Sequence, residues 1–322
     1  MHNHLVNHIH NPSLNTDNTL HVIGVISNYA RYHSRYRLFR EWEKAMLATP
    51  GVRLHIVEAA YGDRMHEITN SRDLDHLQLR TKSEIWIKEN MINLGVKHLL
   101  PRDWKYMAWV DCDVFFDDPN WARETIQQLQ HFQVVQPWQT CLDTGFHGQG
   151  IQLFKSFGFQ HQRGVPKQKW SKEPYEYAHS GFAWACTRAF WEQSGGLIDF
   201  AILGSADHHQ AFGMIGEIKD TIHGKMSKSF FRRCYEWQDR AMRVTHGQVG
   251  FTPGHLTHRF HGPKKRRYYR ERWAILYGHE YDPDRDLYYD AQGVIQLAGK
   301  HELEHAVMLY NRSRLEDSIE EF

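Results

Sequence analysis

Several features common in chains of this length are missing. No apolar run approaches the roughly 20 residues needed to cross a bilayer as a helix, and the opening MHNHLVNHIHNPSLNTDNT has none of the apolar core of a signal peptide. Cysteine is scarce: Cys112, Cys141, Cys186 and Cys234 make no C-x-x-C pair and no framework. That excludes a disulfide scaffold and makes each a small buried hydrophobe rather than a ligand. Together these absences predict a soluble, cytoplasmic protein. There is no G-x-G-x-x-G, no Walker sequence, no repeat at solenoid spacing and no low-complexity segment. Bulk charge is missing too, with a net of +1, but its layout is uneven. Residues 158–275 carry 19 Lys/Arg against 10 Asp/Glu, and residues 276–322 carry 4 against 11. A positive working surface followed by an acidic tail is the implied arrangement.

What is present is a globular composition, 41% hydrophobic and 13% aromatic over 322 residues, enough for one large α/β domain or two smaller ones. The chain is organised around YMAWVDCDVFF, residues 106–116. Its apolar start reads as a buried strand that stops at Asp111-Cys112-Asp113. In an open α/β sheet ligands sit beyond the carboxyl ends of strands. Two carboxylates two residues apart on an extended segment share a face and can grip one hard cation, Mn2+ or Mg2+, on a diphosphate. The alternative is that the pair caps a helix near Pro119. D-x-D recurs at Asp73/Asp75, Asp282/Asp284 and Asp284/Asp286, all in polar, turn-like surroundings.

HVIGVIS from His21 is predicted as a first strand with Ser27 and Asn28 at its end, residues 30–47 as a helix, and 52–60, which includes Glu58, as a second strand. This β-α-β opening predicts a parallel, nucleotide-binding sheet, with the first-strand loop toward the nucleotide. Thr81-Lys82-Ser83-Glu84 reads as a capping box for a helix through Leu94, ended by Gly95. Arg80, Lys88 and Glu89 are within reach of a nucleotide, and Lys88 fits a solvated face equally. Residues 139–178 lose the alternation and are predicted as long loops forming a substrate cover.

Three further stretches carry chemistry. In AHSGFAWACTRAFW, His179, Ser180 and Gly181 offer a close backbone approach and a hydroxyl, and Trp184 a face for a sugar ring; the alternative is a packed Trp184 on a strand entering a helix. In GSADHHQAF, Asp207 is either a helix cap or the base that takes a proton from an acceptor hydroxyl, with His208 or His209 as substitutes. In THRFHGPKKRRYYRERW, His258 and His261 are candidate ligands. Lys264 and Arg266 could neutralise a diphosphate; Lys265, Arg267 and Arg270, interleaved with aromatics, suit nucleic acid or a solvated face. IHGKMSKSFFRRC (222–234) and PKQKW (166–170) extend this basic surface.

In the order of these parts the chain resembles the GT-A glycosyltransferases, over roughly residues 21–276. The resemblance implies a Rossmann-like, mainly parallel α/β sheet flanked by helices, with elaboration in the C-terminal half. It implies a hexosyl- or pentosyltransferase with a nucleoside-diphosphate sugar donor of the UDP type. Asp111 and Asp113 would hold the cation, completed by His261 or less readily His258; Asp207 would be the acceptor-side acid and HSGFAWA the donor-sugar wall. Domains follow: a His-rich tail (1–20), a catalytic domain (21–276, nucleotide half to 138, acceptor half from 139) and an acidic extension (277–322). HGPKKRRYYRERW and GSADHHQAF also resemble phage-encoded glycosyltransferases, which implies a host-cytoplasm setting and makes hydroxymethylated DNA a candidate acceptor, beside a glycan or small molecule. The well-known T-even DNA glucosyltransferases have the other, GT-B architecture without D-x-D. Nucleotidyl transfer also needs paired Asp and a cation, and a non-enzymatic nucleic-acid binder would need only the basic stretch.

Overall fold

The computed structural model describes residues 19–165 and 178–319; the His-rich start and PKQKW lie outside them. The first half follows the alternation of its sequence: β1 (Leu20–Ser27), α1 (His33–Leu47), β2 (Val52–Tyr61), β3 (His76–Thr81), α2 (Lys88–Leu99), β4 (Tyr106–Val110), β5 (Val114–Phe116), α3 (Trp121–Gln128) and β6 (Val134–Gln136). Then come β7 (Thr140–Thr144), β8 (Gly150–Lys155), α4 (Phe157–Gln162), β9 (Ala183–Thr187), α5 (Arg188–Ser194), α6 (Ala206–Gly213), α7 (Lys228–Thr245), β10 (Gly250–Phe251) and β11 (His255–His258). The last elements are α8 (Trp273–Gly278), β12 (Leu287–Tyr289), β13 (Ile295–Leu297) and α9 (His301–Ser313).

Seven strands form one sheet in the order β10-β6-β9-β4-β1-β2-β3. It is mainly parallel: β1 pairs in parallel with β2 and β4, β2 with β3 and β10 with β6, while β9 runs antiparallel to β4 and β6. Both faces are covered, as such a sheet requires. Leu20, Val22 and Ile26 of β1 pack with Phe39, Trp42 and Met46 of α1; Ile23, one step along, packs with Met91, Ile92 and Leu94 of α2 and with the C-terminal helices. This is the two-residue period of a strand with a helix on each side. A second sheet, β5-β11-β7-β8, stands beside the end of β4.

Two sequence expectations are corrected here. The helix placed from Thr81 starts instead at Lys88 and runs past Gly95 to Leu99. Thr81 ends β3, and the Lys82 and Ser83 amides donate to the Gln296 side chain at 3.0 and 3.1 Å, so a residue over 200 positions away anchors the stretch where a first helical turn was expected. Gly95 is a contact point, not a stop: a Cβ there would lie 2.8 Å from Val57 Cγ2, so glycine lets α2 lie close on the sheet. The described part of 139–178 is not loop but β7, β8 and α4. Its pattern is inverted, since Asp143 points inward at 2% exposure while Leu142, Ile151 and Leu153 face out. An inverted strand does not look like one.

At the opposite end of β1 and β2, His21 Nδ1 lies 2.9 Å from His55 Nε2, and His55 Nδ1 lies 2.9 Å from Asp75 Oδ1. Burial pushes both imidazoles down to about 4. The unfolded chain binds these protons near pH 6.5 and the folded chain refuses them. Stability is therefore fully present above that pH and falls as pH drops toward 4. Urea unfolding should lose about 4 kcal/mol between pH 7 and 5, about 2 kcal/mol from each imidazole; with His21→Leu and His55→Leu together, the slope over that window should flatten.

A candidate metal centre in the central cleft

Chain order reverses between β1, whose chain continues to β2 on one side, and β4 on the other. Such a switch point leaves a crevice at the strands' carboxyl ends. A cleft of about 520 Å³ opens there, lined by Val25–Ser27 from β1, Val110–Asp113 after β4 and residues from the second sheet and the C-terminal half. Its size is within the range of small-molecule sites.

After β4 the backbone turns tightly, Val114 N donating to Asp111 O at 3.2 Å, so it is not extended through D-x-D as expected. The two carboxylates therefore part company. Asp111 ion-pairs with Lys88. Burial raises the Asp111 carboxyl, only partly offset by Lys88, so Lys88 is a partner inside the cleft and not a solvated side chain. Asp113 goes the other way, its Oδ2 lying 2.9 Å from His261 Nε2 and its Oδ1 3.7 Å from His258 Nε2. Burial alone would raise Asp113, yet the two imidazoles outweigh it and hold the carboxyl well below the usual range.

Sheet register assembles this cluster. In β11, His258 stands opposite Val114 of β5 and Asp143 of β7. Asp143 Oδ1 lies 2.5 Å from His258 Nδ1 and its Oδ2 2.5 Å from Lys264 Nζ. Burial would raise Asp143, but the hydrogen bond from His258 and the ammonium of Lys264 hold it down. A neutral His258 carries its proton on Nδ1, toward that carboxylate, so Nε2 is a bare lone pair. Arg267 Nη2 lies 2.7 Å from His261 Nε2 and 3.3 Å from its Nδ1, so a guanidinium sits against the edge of this ring. The two Nε2 atoms are 3.3 Å apart. Asp113 Oδ1 is buried with no hydrogen-bond partner. One carboxylate and two imidazole nitrogens thus converge. Ligand atoms of Asp113, His258 and His261 all lie within 4.8 Å of one another, a donor set that suits a divalent cation. His258 joins this group as fully as His261; Asp111 does not. Asp143 went unnoticed in the sequence because a carboxylate facing inward on a strand reads as a loop residue.

The remaining residues sort by position. Ser27, Lys88, Glu89, His179, Gly181, Asp207, His208, Lys264, Lys265, Arg267 and Arg270 all line the cleft. Asp207 is in the first turn of α6, whose cap is Ser205 rather than Asp207. Glu89 accepts from Trp86 Nε1 at 3.0 Å and is pushed up by burial to about 7. Burial lowers His208; His209 is buried against Thr221 Oγ1 at 2.6 Å, away from the cleft. His179 stacks on Phe182, centroids 3.9 Å apart. Arg35 and Arg314 also line the cleft, and nothing in the sequence had singled them out.

Several candidates lie elsewhere. Glu58 is buried, its oxygens accepting from the Glu67, Ile68 and Thr69 amides at 2.7, 3.0 and 2.7 Å, so it anchors a loop and does not face a nucleotide. Arg80 Nη1 donates to Gly62 O and Arg64 O at 2.7 and 2.9 Å. Asn28 closes its own turn through Tyr32. Trp184 is 2% exposed in the core with Nε1 on Ser180 O, so its ring offers no face to a sugar; Ser180 is buried beside it. Arg266 is not among the lining residues. No helix among the described residues is long and apolar enough to cross a membrane.

No protein-family model and no curated protein matches the chain. Among solved structures it is similar to a Drosophila β-1,4-galactosyltransferase 7 variant in complex with manganese, UDP-Gal and xylobiose (13% identity, 87% of this chain, 94% of that one, TM-score 0.40). It is also similar to a Pyrobaculum calidifontis mannosyltransferase with GDP-Man and Mn2+ (12%, 90% and 69%, 0.39) and to an inositol-1-phosphate CTP transferase from T. maritima (11%, 75% and 89%, 0.36). Overlaps this small leave the reaction to be argued from the site.

If the cluster holds a cation, Mn2+ at a hundredfold excess over its Kd should stabilise the fold by about 2.7 kcal/mol, raising the melting temperature by a few degrees. Asp113→Asn and His258→Ala should remove that rise, while Arg80→Ala, outside the cleft, should keep it.

Proposed function

We propose that the protein is a metal-dependent glycosyltransferase of the GT-A type, moving a sugar from a nucleoside-diphosphate sugar to an acceptor hydroxyl. The observation that carries this reading is the juxtaposition, in one cleft, of a carboxylate and two imidazoles converging on one point with a run of cationic side chains. Asp113, His258 and His261 would hold Mn2+ or Mg2+, which supplies Lewis-acid stabilisation of charge growing on a departing diphosphate.

The chain's own groups do the rest. Asp143 fixes the His258 ring so that Nε2 faces the centre. Lys264, Lys265, Arg267 and Arg270 border the same space and offset phosphate charge. Lys88, tied to Asp111, sets a second cation on the far side of D-x-D. Asp207, on the wall formed with Gly181 and His208, takes the acceptor proton in an inverting transfer and orients the hydroxyl in a retaining one.

The basic residues invoked for nucleic acid, Lys265, Arg267 and Arg270, open on this cleft, where their charge serves a diphosphate. A hydroxymethylated DNA acceptor therefore gains no separate surface from them, and a glycan or small-molecule hydroxyl is the acceptor class proposed here. Nucleotidyl transfer would use the same ligands but release pyrophosphate from a nucleoside triphosphate.

A panel of nucleotide sugars with Mn2+, scored for nucleoside diphosphate release, should give turnover with at least one donor, UDP-sugars foremost. Asp113→Ala should abolish both transfer and donor hydrolysis. Asp207→Asn should lower transfer by about 10²–10⁴ without changing Mn2+ affinity. Pyrophosphate release from a triphosphate with no turnover of any nucleotide sugar would replace this reading by the nucleotidyl one.

A further inference from the structure

The residues after α9 do not trail into solvent. Arg314–Asp317 cross back over the start of α1 as a strap. Asp317 accepts from the His33 and Ser34 amides at 2.9 and 2.7 Å, supplying from the far end of the chain the cap that α1 lacks locally. Tyr32 Oη donates to Arg312 O at 2.8 Å. The strap also presses on the His261 loop. Gly262 has φ +91°, and a Cβ there would fall 2.7 Å from Glu316 Cα and 3.1 Å from Leu315 O. Only glycine allows the two backbones to meet so closely.

This packing brings one carboxylate up behind the His261 ring. Glu316 has a side chain only 1% exposed, ion-paired with Arg35 and with Arg314, the latter at 2.9 Å. Its Oε2 lies 3.8 Å from His261 Nδ1. Its carboxylate is held between two guanidiniums. A carboxylate thus stands behind the Nδ1 edge of each imidazole, Asp143 at 2.5 Å from His258 and Glu316 at 3.8 Å from His261.

We propose that Glu316 is a positioning residue of the metal centre, a carboxylate carried in by the C-terminal strap that orients the His261 ring toward Asp113 and His258. The inference rests on the metal-centre reading and extends it to a segment the sequence assigns to an acidic extension. Carboxylates behind metal-bound imidazoles fix both ring tilt and tautomer, and losing one commonly costs 10–100-fold in affinity.

The test uses full-length protein and Mn2+ alone, with affinity read from the EPR signal of free ion. Glu316→Gln should weaken Mn2+ binding by about tenfold or more, and Glu316→Asp should recover part of the loss. Equal affinity in wild type and a folded Glu316→Gln would overturn the proposal. Absence of Mn2+ binding in the wild type would overturn the metal reading along with it. Imidazole 15N shifts of the metal-free wild type give a check that does not depend on how the variant folds: His261 should be protonated at Nδ1, and protonation at Nε2 would refute the role.

Discussion

Everything in the cleft depends on keeping one carboxylate and two imidazole nitrogens close together around a common centre. Such a group keeps its geometry only when something fixes it from behind. For His258 the fixing agent is sheet register, which sets Asp143 beside it on the neighbouring strand. For His261 it is the packing of a remote segment against Gly262. Neither device is at the site itself. The cluster is preorganised by backbone pairing and close backbone contact, which deform less than side-chain rotamers do, and preorganisation of this kind makes a ligand set selective.

The two aspartates of D-x-D illustrate how environment divides identical groups. A tight turn sends Asp111 to an ammonium and Asp113 to two imidazoles. Burial dominates at Asp111 and raises it; at Asp113 the neighbours win and lower it. Divergent environments for paired titratable groups are a mark of sites with divided roles. Glu89 adds a third regime, raised to about 7 beside Lys88 and Asp207, so the wall opposite the cluster contains a carboxyl able to hold or release a proton near neutrality.

The alternating half of the fold was legible because each strand and helix there announces itself by a period. β1, α1, β2 and β4 have apolar residues at two- or four-residue spacing, and nothing distant overrides them. Legibility failed where a distant partner replaced a local rule. Gln296 takes the Lys82 and Ser83 amides where Thr81-Lys82-Ser83-Glu84 would have begun a helix. Asp143 turns a charge inward and leaves Leu142 and Leu153 outside, the reverse of the pattern that marks a strand. In the site, the D-x-D, the His pair and Asp207 could be found from neighbouring residues. Trp184 could not be excluded from the cleft, because the face a strand residue presents depends on what packs on either side. Glu58 looked like a ligand for the same reason that it is a good anchor: a carboxylate at a strand's end will take whatever donors the fold brings, and here those are three backbone amides.

The strap alters what counts as the catalytic unit. A boundary at residue 276 would leave Asp113, His258 and His261 on one piece, but remove Arg314 from the lining of the same cleft, Glu316 from behind His261 and Asp317 from the start of α1. Arg35, on that first helix turn, would then be a buried guanidinium facing the centre without its main counter-ion. Removing one partner of a buried ion pair costs far more than the pair gains when intact, since the survivor's desolvation is no longer offset. An uncompensated guanidinium beside His261 would also oppose cation binding directly. The acidic C-terminal stretch thus balances charge in the cleft: it neutralises Arg35 and Arg314 and leaves Lys264, Lys265, Arg267 and Arg270 to face an incoming anion.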